Sequence, residues 1–423
     1  MRIFGTWSLL ACVLVVPSGD PWNARSDSAK AHQGVVAGVT FANALDGWAW
    51  VRSKSPRAWP LERTRDGGKS WRMVSVYAAE TGGGPPPQPN FVNGNLGFMA
   101  VARARGPWPY VFERTHDGGR TWTVLRGPRP AMRLPLTSFD FLDSRHGWAV
   151  FATATGMGQA SSELYRTINA GLSWQLVAFT NVKTGGVWRS KYFAATSAPG
   201  AVAFATPTRG WAVGSSSHSG MTVAYRTRDG GLRWHVCLPL RGSCGPALPP
   251  WYQAHRKFSF GSGNLLETPM GSPRLAGGMG LLPVSISTQV GAALHYRYYM
   301  YRLVRSGKAW GAPMLMPLGF PHILCKCNPN GYTWVQADIA GLRAWYFVGG
   351  DRLATTLDGG HRWRYHRLPL GRGSVLAGIQ FFGSTGYLLT DRPTKSGGEV
   401  LTLHRSRDAG ATWSRVAIPP VAG

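Results

Sequence analysis

The sequence predicts an all-β chain folded as a seven-bladed β-propeller of four-stranded antiparallel blades. Three observations predict it. Six copies of one nonapeptide recur along the 423 residues, each ending in tryptophan. A second motif, a Phe followed within a few residues by Gly-Trp-Ala-Val or a variant of it, precedes the copies by about 18 to 26 residues. With 55 Gly and 30 Pro, turn-forming residues are too frequent for long helices. Self-similarity at a period of roughly 50 residues marks a repeat architecture, and four short strands per unit are the composition of a propeller blade.

The nonapeptide copies read RTRDGGKSW to Trp71, RTHDGGRTW to Trp122, RTINAGLSW to Trp174, RTRDGGLRW to Trp234, TTLDGGHRW to Trp363 and RSRDAGATW to Trp413. The step from Trp234 to Trp363 is about twice the others, and YRLVRSGKAW, ending at Trp310, fills it as a degenerate copy without the Asp. In such a turn the Asp carboxylate accepts hydrogen bonds from nearby backbone N–H groups, and the glycines take the positive φ that the reversal needs. The acceptors are Asp66, Asp117, Asp229, Asp358 and Asp408, with Asn169 replacing the acceptor but not the charge. The tryptophan covers the sheet edge where blades meet, and truncating a buried one to Ala typically costs about 3–5 kcal/mol.

The upstream motif pairs Phe41 with Gly47-Trp48, Phe91 with Gly97-Phe98, Phe139 with Gly147-Trp148 and Phe204 with Gly210-Trp211, and more loosely marks Trp345 and Gly386-Tyr387. Residues 25–423 then divide into blades near 36–77, 90–127, 137–179, 200–237, 260–315, 333–367 and 375–418. Chain alternation sends first-to-second turns and nonapeptide turns to one face. The long connections, around 77–90, 180–199, 239–273 and 316–331, are expected on the opposite face.

The N-terminal 24 residues read as an export segment, with an apolar run from Ile3 to Val16 behind Arg2. A lipid anchor at Cys12 is the less favoured variant, because the apolar run continues beyond it. Cys237, Cys244, Cys325 and Cys327 are disulfide candidates of open pairing in an exported chain. Their spacing lacks flanking His at zinc-site distances, so no metal is expected, and no sequence pattern calls for a cofactor.

At the nonapeptides the chain resembles the Asp-box repeats of bacterial sialidases, sortilin-type receptors and xyloglucan hydrolases. The GWAV element followed by RT-x-DGG-x-T-W is most similar to the photosystem II stability and assembly factor family. That resemblance spans about residues 36–418. It implies an exported seven-bladed propeller with a chaperone-like role toward a membrane protein complex.

Function is therefore expected as a non-catalytic binding or assembly scaffold acting through the long-loop face. The candidate binding residues are Trp251, Tyr252, His255, Arg256 and Lys257, an aromatic and basic cluster suited to anionic, carbohydrate or acidic protein partners. The alternative is a carbohydrate-active hydrolase on the same face, which needs two carboxylates. Glu80, Glu267 and Asp391 are its long-loop candidates, whereas Glu62 and Glu113 recur at one third-strand position and read as blade structure. Lys and Arg total 46 against 19 Asp and Glu, a formal charge of +27. Such a balance favours a protein or envelope polymer of anionic character, with peripheral membrane contact compatible. Basic residues spread over all blades, together with export, argue against nucleic acid. A monomer is expected.

Overall fold

Short turns decide the architecture, because a strand that reverses within a few residues pairs with its own neighbour. The computed structural model describes residues 36–51, 53, 55, 58–78, 87, 89–102, 110–130, 134–154, 160–181, 189–190, 192–194, 201–215, 222–237, 265–270, 273–276, 279–290, 293–304, 309–320, 335–393 and 399–416. Among them there is no helix, and seven sheets, antiparallel but for one added edge strand, follow one another in chain order as the blades of a propeller. Blade one comprises Val36–Phe41, Gly47–Val51, Ala58–Thr64 and Arg72–Ala78, each strand bonded to the next. Blades two, three and four open with Asn90–Phe91, Leu136–Phe141 and Ala201–Phe204, and blades six and seven with Val335–Ile339 and Val375–Phe382.

Blade five departs from the pattern at both edges. Leu265–Pro269 and Arg274–Ala276 together take the place of a first strand, both pairing with Met279–Val290. Ala309–Trp310 and Met314–Met316 likewise share the third strand, Ala293–Val304. Part of the insertion at 180–199 runs along outer sheet edges instead of forming a face loop. Arg189–Ser190 pairs with Trp234–His235 of blade four, and Tyr192–Ala194 runs parallel to Phe179–Asn181 of blade three. It thereby covers strand edges that would otherwise be open.

The two sequence motifs meet between blades. Trp48 stacks on Phe91 of blade two with ring centroids 3.5 Å apart, and Trp122 meets the same ring edge-on at 6.2 Å. The same three-ring arrangement joins Phe98, Phe141 and Trp174, then Trp148, Phe204 and Trp234. It recurs for Tyr346, Phe381 and Trp413, and closes the circle through Tyr387, Phe41 and Trp71. The glycine of the motif exists for this contact. A Cβ on Gly47 would lie 2.5 Å from the Phe41 ring, and one on Gly147 2.6 Å from Phe141. The motif phenylalanine of blade three is therefore Phe141 and not the Phe139 expected from the sequence, because Phe141 lies over Gly147 and stacks on Phe98. Each core cluster of the described residues lies between two successive blades.

The nonapeptide turn bonds as its residues dictate. Asp66 accepts from the Ser70 N–H at 3.0 Å and from the Ser70 and Thr64 hydroxyls at 2.6 and 2.8 Å, while Gly67 and Gly68 sit at φ 73° and 88°. Asp117 and Asp408 repeat the set. Asp229 and Asp358 accept the corresponding N–H from Arg233 and Arg362. Asn169 keeps the N–H bond but reverses the other, its Nδ2 donating to Ser173 Oγ at 2.8 Å.

Candidate functional site

Register defines a ring of seven equivalent positions on the first strands, one residue before the interface ring. The partner of Trp48 across the ladder is Thr40, and the equivalents are Asn90, Asp140, Ala203, Arg274, Asp338 and Gln380. First strands of successive blades contact one another, as Leu136–Phe141 does Ala201–Phe204, which makes them the strands around the propeller axis. Residues at the ring position reach the backbone of the next blade. Gln380 accepts from the Phe41 N–H and donates to its carbonyl at 3.0 Å, and the Asp338 carboxylate accepts the Phe381 N–H.

Irregular blade five opens this ring. Leu275 and Leu281 occupy places that aromatic rings fill in most other blades, Ile339 of blade six likewise replaces a first-strand ring, and Trp211 of blade four meets Trp310 at 5.1 Å instead of a first-strand Phe. With the rings gone, a cavity of about 300 Å³ remains, lined by Asp140, Ala203, Arg274, Leu275 and the Ala340–Leu342 turn among others. Four blades contribute to it. Ala203, the smallest of the ring residues, leaves the space between Asp140 and Arg274 uncrowded.

The charges at this cavity are unusual. Enclosure by protein raises Asp140 to about 6, against the opposing pull of the Arg274 charge. Enclosure likewise raises Asp338 to about 6, with the Phe381 N–H and Arg274 pulling down. Asp140 and Arg274 thus line a concave, partly apolar cavity, and Asp338, bonded to the Phe381 N–H of the next blade, feels the same guanidinium without lining that cavity. Such a set can bind hydroxyl-rich ligands and move protons near neutral pH.

Most other described acids are committed elsewhere. Asp46 pairs with Arg63 at 2.7 Å, Asp143 with His146 at 2.9 Å and Asp351 with Arg367 at 2.8 Å. Glu163 accepts from the Tyr165 hydroxyl at 2.8 Å. Glu62 and Glu113 are buried in equivalent third-strand positions, opposite Ala49 and Met99. Glu267 lies in blade five opposite Ile286, and Asp391 in the second strand of blade seven between Val375 and Leu401.

Glu80, the candidate binding residues Trp251, Tyr252, His255, Arg256 and Lys257, the export segment, and Cys244, Cys325 and Cys327 lie outside the described residues. Cys237 ends the fourth strand of blade four, opposite Ala224. No group of three metal-ligating side chains occurs among the described residues.

The site that sequence reasoning missed, Asp140 with Arg274 and Asp338, had one legible sign. Asp140 directly precedes Phe141, as Gln380 precedes Phe381 and Thr40 precedes Phe41.

No protein-family profile and no curated protein matches the chain. Among solved structures it is similar to the polysaccharide lyase Uly1, at 10% identity and TM-score 0.53 over 91% of this chain and 92% of that one. The β-propeller domain of Nup133 from Vanderwaltozyma polyspora aligns at 10% identity and TM-score 0.47, over 89% of this chain and 100% of that one. An ulvan lyase aligns at 10% identity and TM-score 0.46, over 78% and 81%. At these identities the similarity is one of fold.

Proposed function

We propose that this propeller is carbohydrate-directed and takes a single sugar unit at the channel cavity, with Asp140 and Asp338 as its working carboxylates. One observation carries the reading: Asp140, raised to about 6, lines with Arg274 a cavity large enough for one small ring, and Asp338, raised likewise, feels the same guanidinium. In a glycoside hydrolase one carboxyl protonates the leaving oxygen while the other activates water or attacks the anomeric carbon. Arg274 presents planar donors to ring hydroxyls, and Leu275 with Phe204 offers an apolar wall. The test is a panel of plant and bacterial glycans incubated with the full chain near pH 6. Turnover or saturable binding, lost in Asp140→Asn and Asp338→Asn, supports the proposal. A folded wild type that neither binds nor cleaves any of them overturns it.

The second reading is an exported, non-catalytic assembly scaffold, as the resemblance to the photosystem II factor family implies. What supports it is the commitment of carboxylates to structure, with the repeat acids bonded to their own turns and Asp46, Asp143 and Asp351 paired. The exported location, an anionic partner and the monomeric state belong to this reading too. Capture of one stoichiometric envelope protein, undiminished in Asp140→Asn, favours it over the carbohydrate reading.

A further inference from the structure

The short-turn face carries a feature that neither reading uses. In six blades the nonapeptide turn is tied by a backbone hydrogen bond to the first-to-second turn of its own blade. Gly67 donates to Leu45 and Gly118 to Asn95, and likewise Ala170 to Arg145, Gly230 to Thr208, Gly359 to Arg343 and Ala409 to Ser384, all at 2.8 to 2.9 Å. Both rows of turn tips therefore lie side by side on one face. The repeat holds that face in register around the axis.

The residues at these tips are not those of an ordinary solvated turn. Leu45, Ile168, Leu172, Leu232 and Leu357 project there with exposures of 50%, 53%, 63%, 41% and 46%. They come from blades one, three, four and six, so they form separate apolar points around the face, not one patch. Exposed cations stand between them. Arg65, Lys69, Arg120, Arg228, Arg233 and Arg407 occupy variable positions of the same turns, joined by Arg145 and Arg343 from the inner row.

The repeat carboxylates stay anionic, each fixed in place by its own turn's N–H and hydroxyl groups, and Asp46 pairs with Arg63. Third-strand arginines add positive charge beneath the tips, with Arg405 donating to the Asp66 and Gly67 carbonyls and Arg166 to the Asp229 carbonyl. Together with the tip cations they outnumber the acids of the face.

We infer that the short-turn face docks on an anionic lipid bilayer, with the cationic tips on the headgroups and the five aliphatic tips in the interface. Scattered single aliphatics among cations suit a laterally fluid surface, where each side chain finds its own depth. A soluble polyanion would use the charges and leave the aliphatics without a role. Electrostatic attraction at an anionic leaflet is about 1 kcal/mol per basic residue near the surface, and shallow aliphatic insertion adds to it. The Ala340–Leu342 turn that lines the cavity lies on this face beside Arg343, but none of the substituted tip residues lines the cavity, so the two proposals are tested by different variants.

The experiment is co-flotation of the full chain with vesicles of phosphatidylcholine alone or mixed with phosphatidylglycerol. Binding to the mixed vesicles and weak binding to the neutral ones are expected. Leu172→Ser with Leu232→Ser should reduce partitioning severalfold, and Arg65→Gln with Lys69→Gln and Arg120→Gln by about tenfold or more, both with unchanged melting temperature. Asp140→Asn should float like wild type. Equal binding to neutral and anionic vesicles, or none to either, overturns the inference. So does anionic binding that the leucine variant leaves untouched, which would identify a simple polyanion surface.

Discussion

Tyr387 of the last blade lies flat on Phe41 of the first, with ring centroids 3.7 Å apart and planes 13° from parallel. Among the described residues no strand is exchanged between first and last blades: blade one is built from residues 36–78 and blade seven from 375–416. Closure instead repeats the contact used between other blades. The Tyr387 hydroxyl donates to the Ala44 carbonyl at 2.7 Å, Arg405 reaches the Asp66 turn, and Gln380 brackets the Phe41 backbone.

Removing that closure should cost as much as removing a core residue. Phe41→Ala is expected to destabilise by about 3–5 kcal/mol, and Tyr387→Phe, which keeps the stack and loses one hydrogen bond, by about 1 kcal/mol. Urea denaturation followed by tryptophan fluorescence checks both, and equal losses for the two would contradict the stacking account.

The motif glycines make room for rings. Gly97→Ala puts a Cβ 2.6 Å from the Phe91 ring and is expected to cost more than about 2 kcal/mol. Gly341→Ala, where a Cβ meets nothing within 4 Å, should be near neutral and serves as the control. Paired thermal melts decide it.

Ala170 and Ala409 hold φ of 60° at the turn position where blades one, two, four and six have glycine. The left-handed conformation costs a non-glycine residue about 1–2 kcal/mol, partly offset by the greater freedom that glycine gives the unfolded chain. Ala409→Gly should therefore leave stability unchanged or raise it by up to about 1 kcal/mol, as read from the denaturation midpoint. A clear loss would show that the buried methyl matters more than the backbone.

Stability should depend on pH in two opposite limbs. The Ser70 and Thr412 hydroxyls and N–H groups lead the interactions holding Asp66 and Asp408 down at about 2, so their contribution is complete above about pH 4 and lost as pH falls through 2. Asp140 and Asp338, raised to about 6, act the other way: their contribution is complete below about pH 4 and lost as pH rises through 6. Melting temperature should peak between about pH 4 and 5. Asp140→Asn with Asp338→Asn should flatten the decline toward pH 7, and an unchanged decline would place its origin elsewhere.

Legibility in the sequence followed locality. The turn chemistry of Asp66, Gly67 and Trp71 is contained in nine residues, so its spacing announced both the repeat and the blade number. The Gly-Trp element was visible as a pattern, but its purpose, a glycine beneath a phenylalanine sandwiched by the preceding blade, appears only when neighbours close up. The cavity was harder still. Asp140 and Arg274 are far apart in the chain, and they line one cavity where an irregular blade carries leucines instead of rings at the axis, with Asp338 close enough to feel the same guanidinium. The cluster of Trp251, Tyr252, His255, Arg256 and Lys257 stands out for its aromatic and basic content, which composition reveals without fixing geometry.

The carbohydrate reading stands or falls on whether the two channel acids do chemistry or binding that other acids do not. The most direct measurement is glycan turnover or affinity against pH for wild type, Asp140→Asn, Asp338→Asn and, as control, Asp351→Asn, whose carboxylate is paired with exposed Arg367. The account expects a wild-type profile with a limb near pH 6, losses of about 10²-fold or more in either channel variant, and an unaltered control. Equal activity in all four proteins, or a profile without a limb between pH 5 and 7, would contradict it.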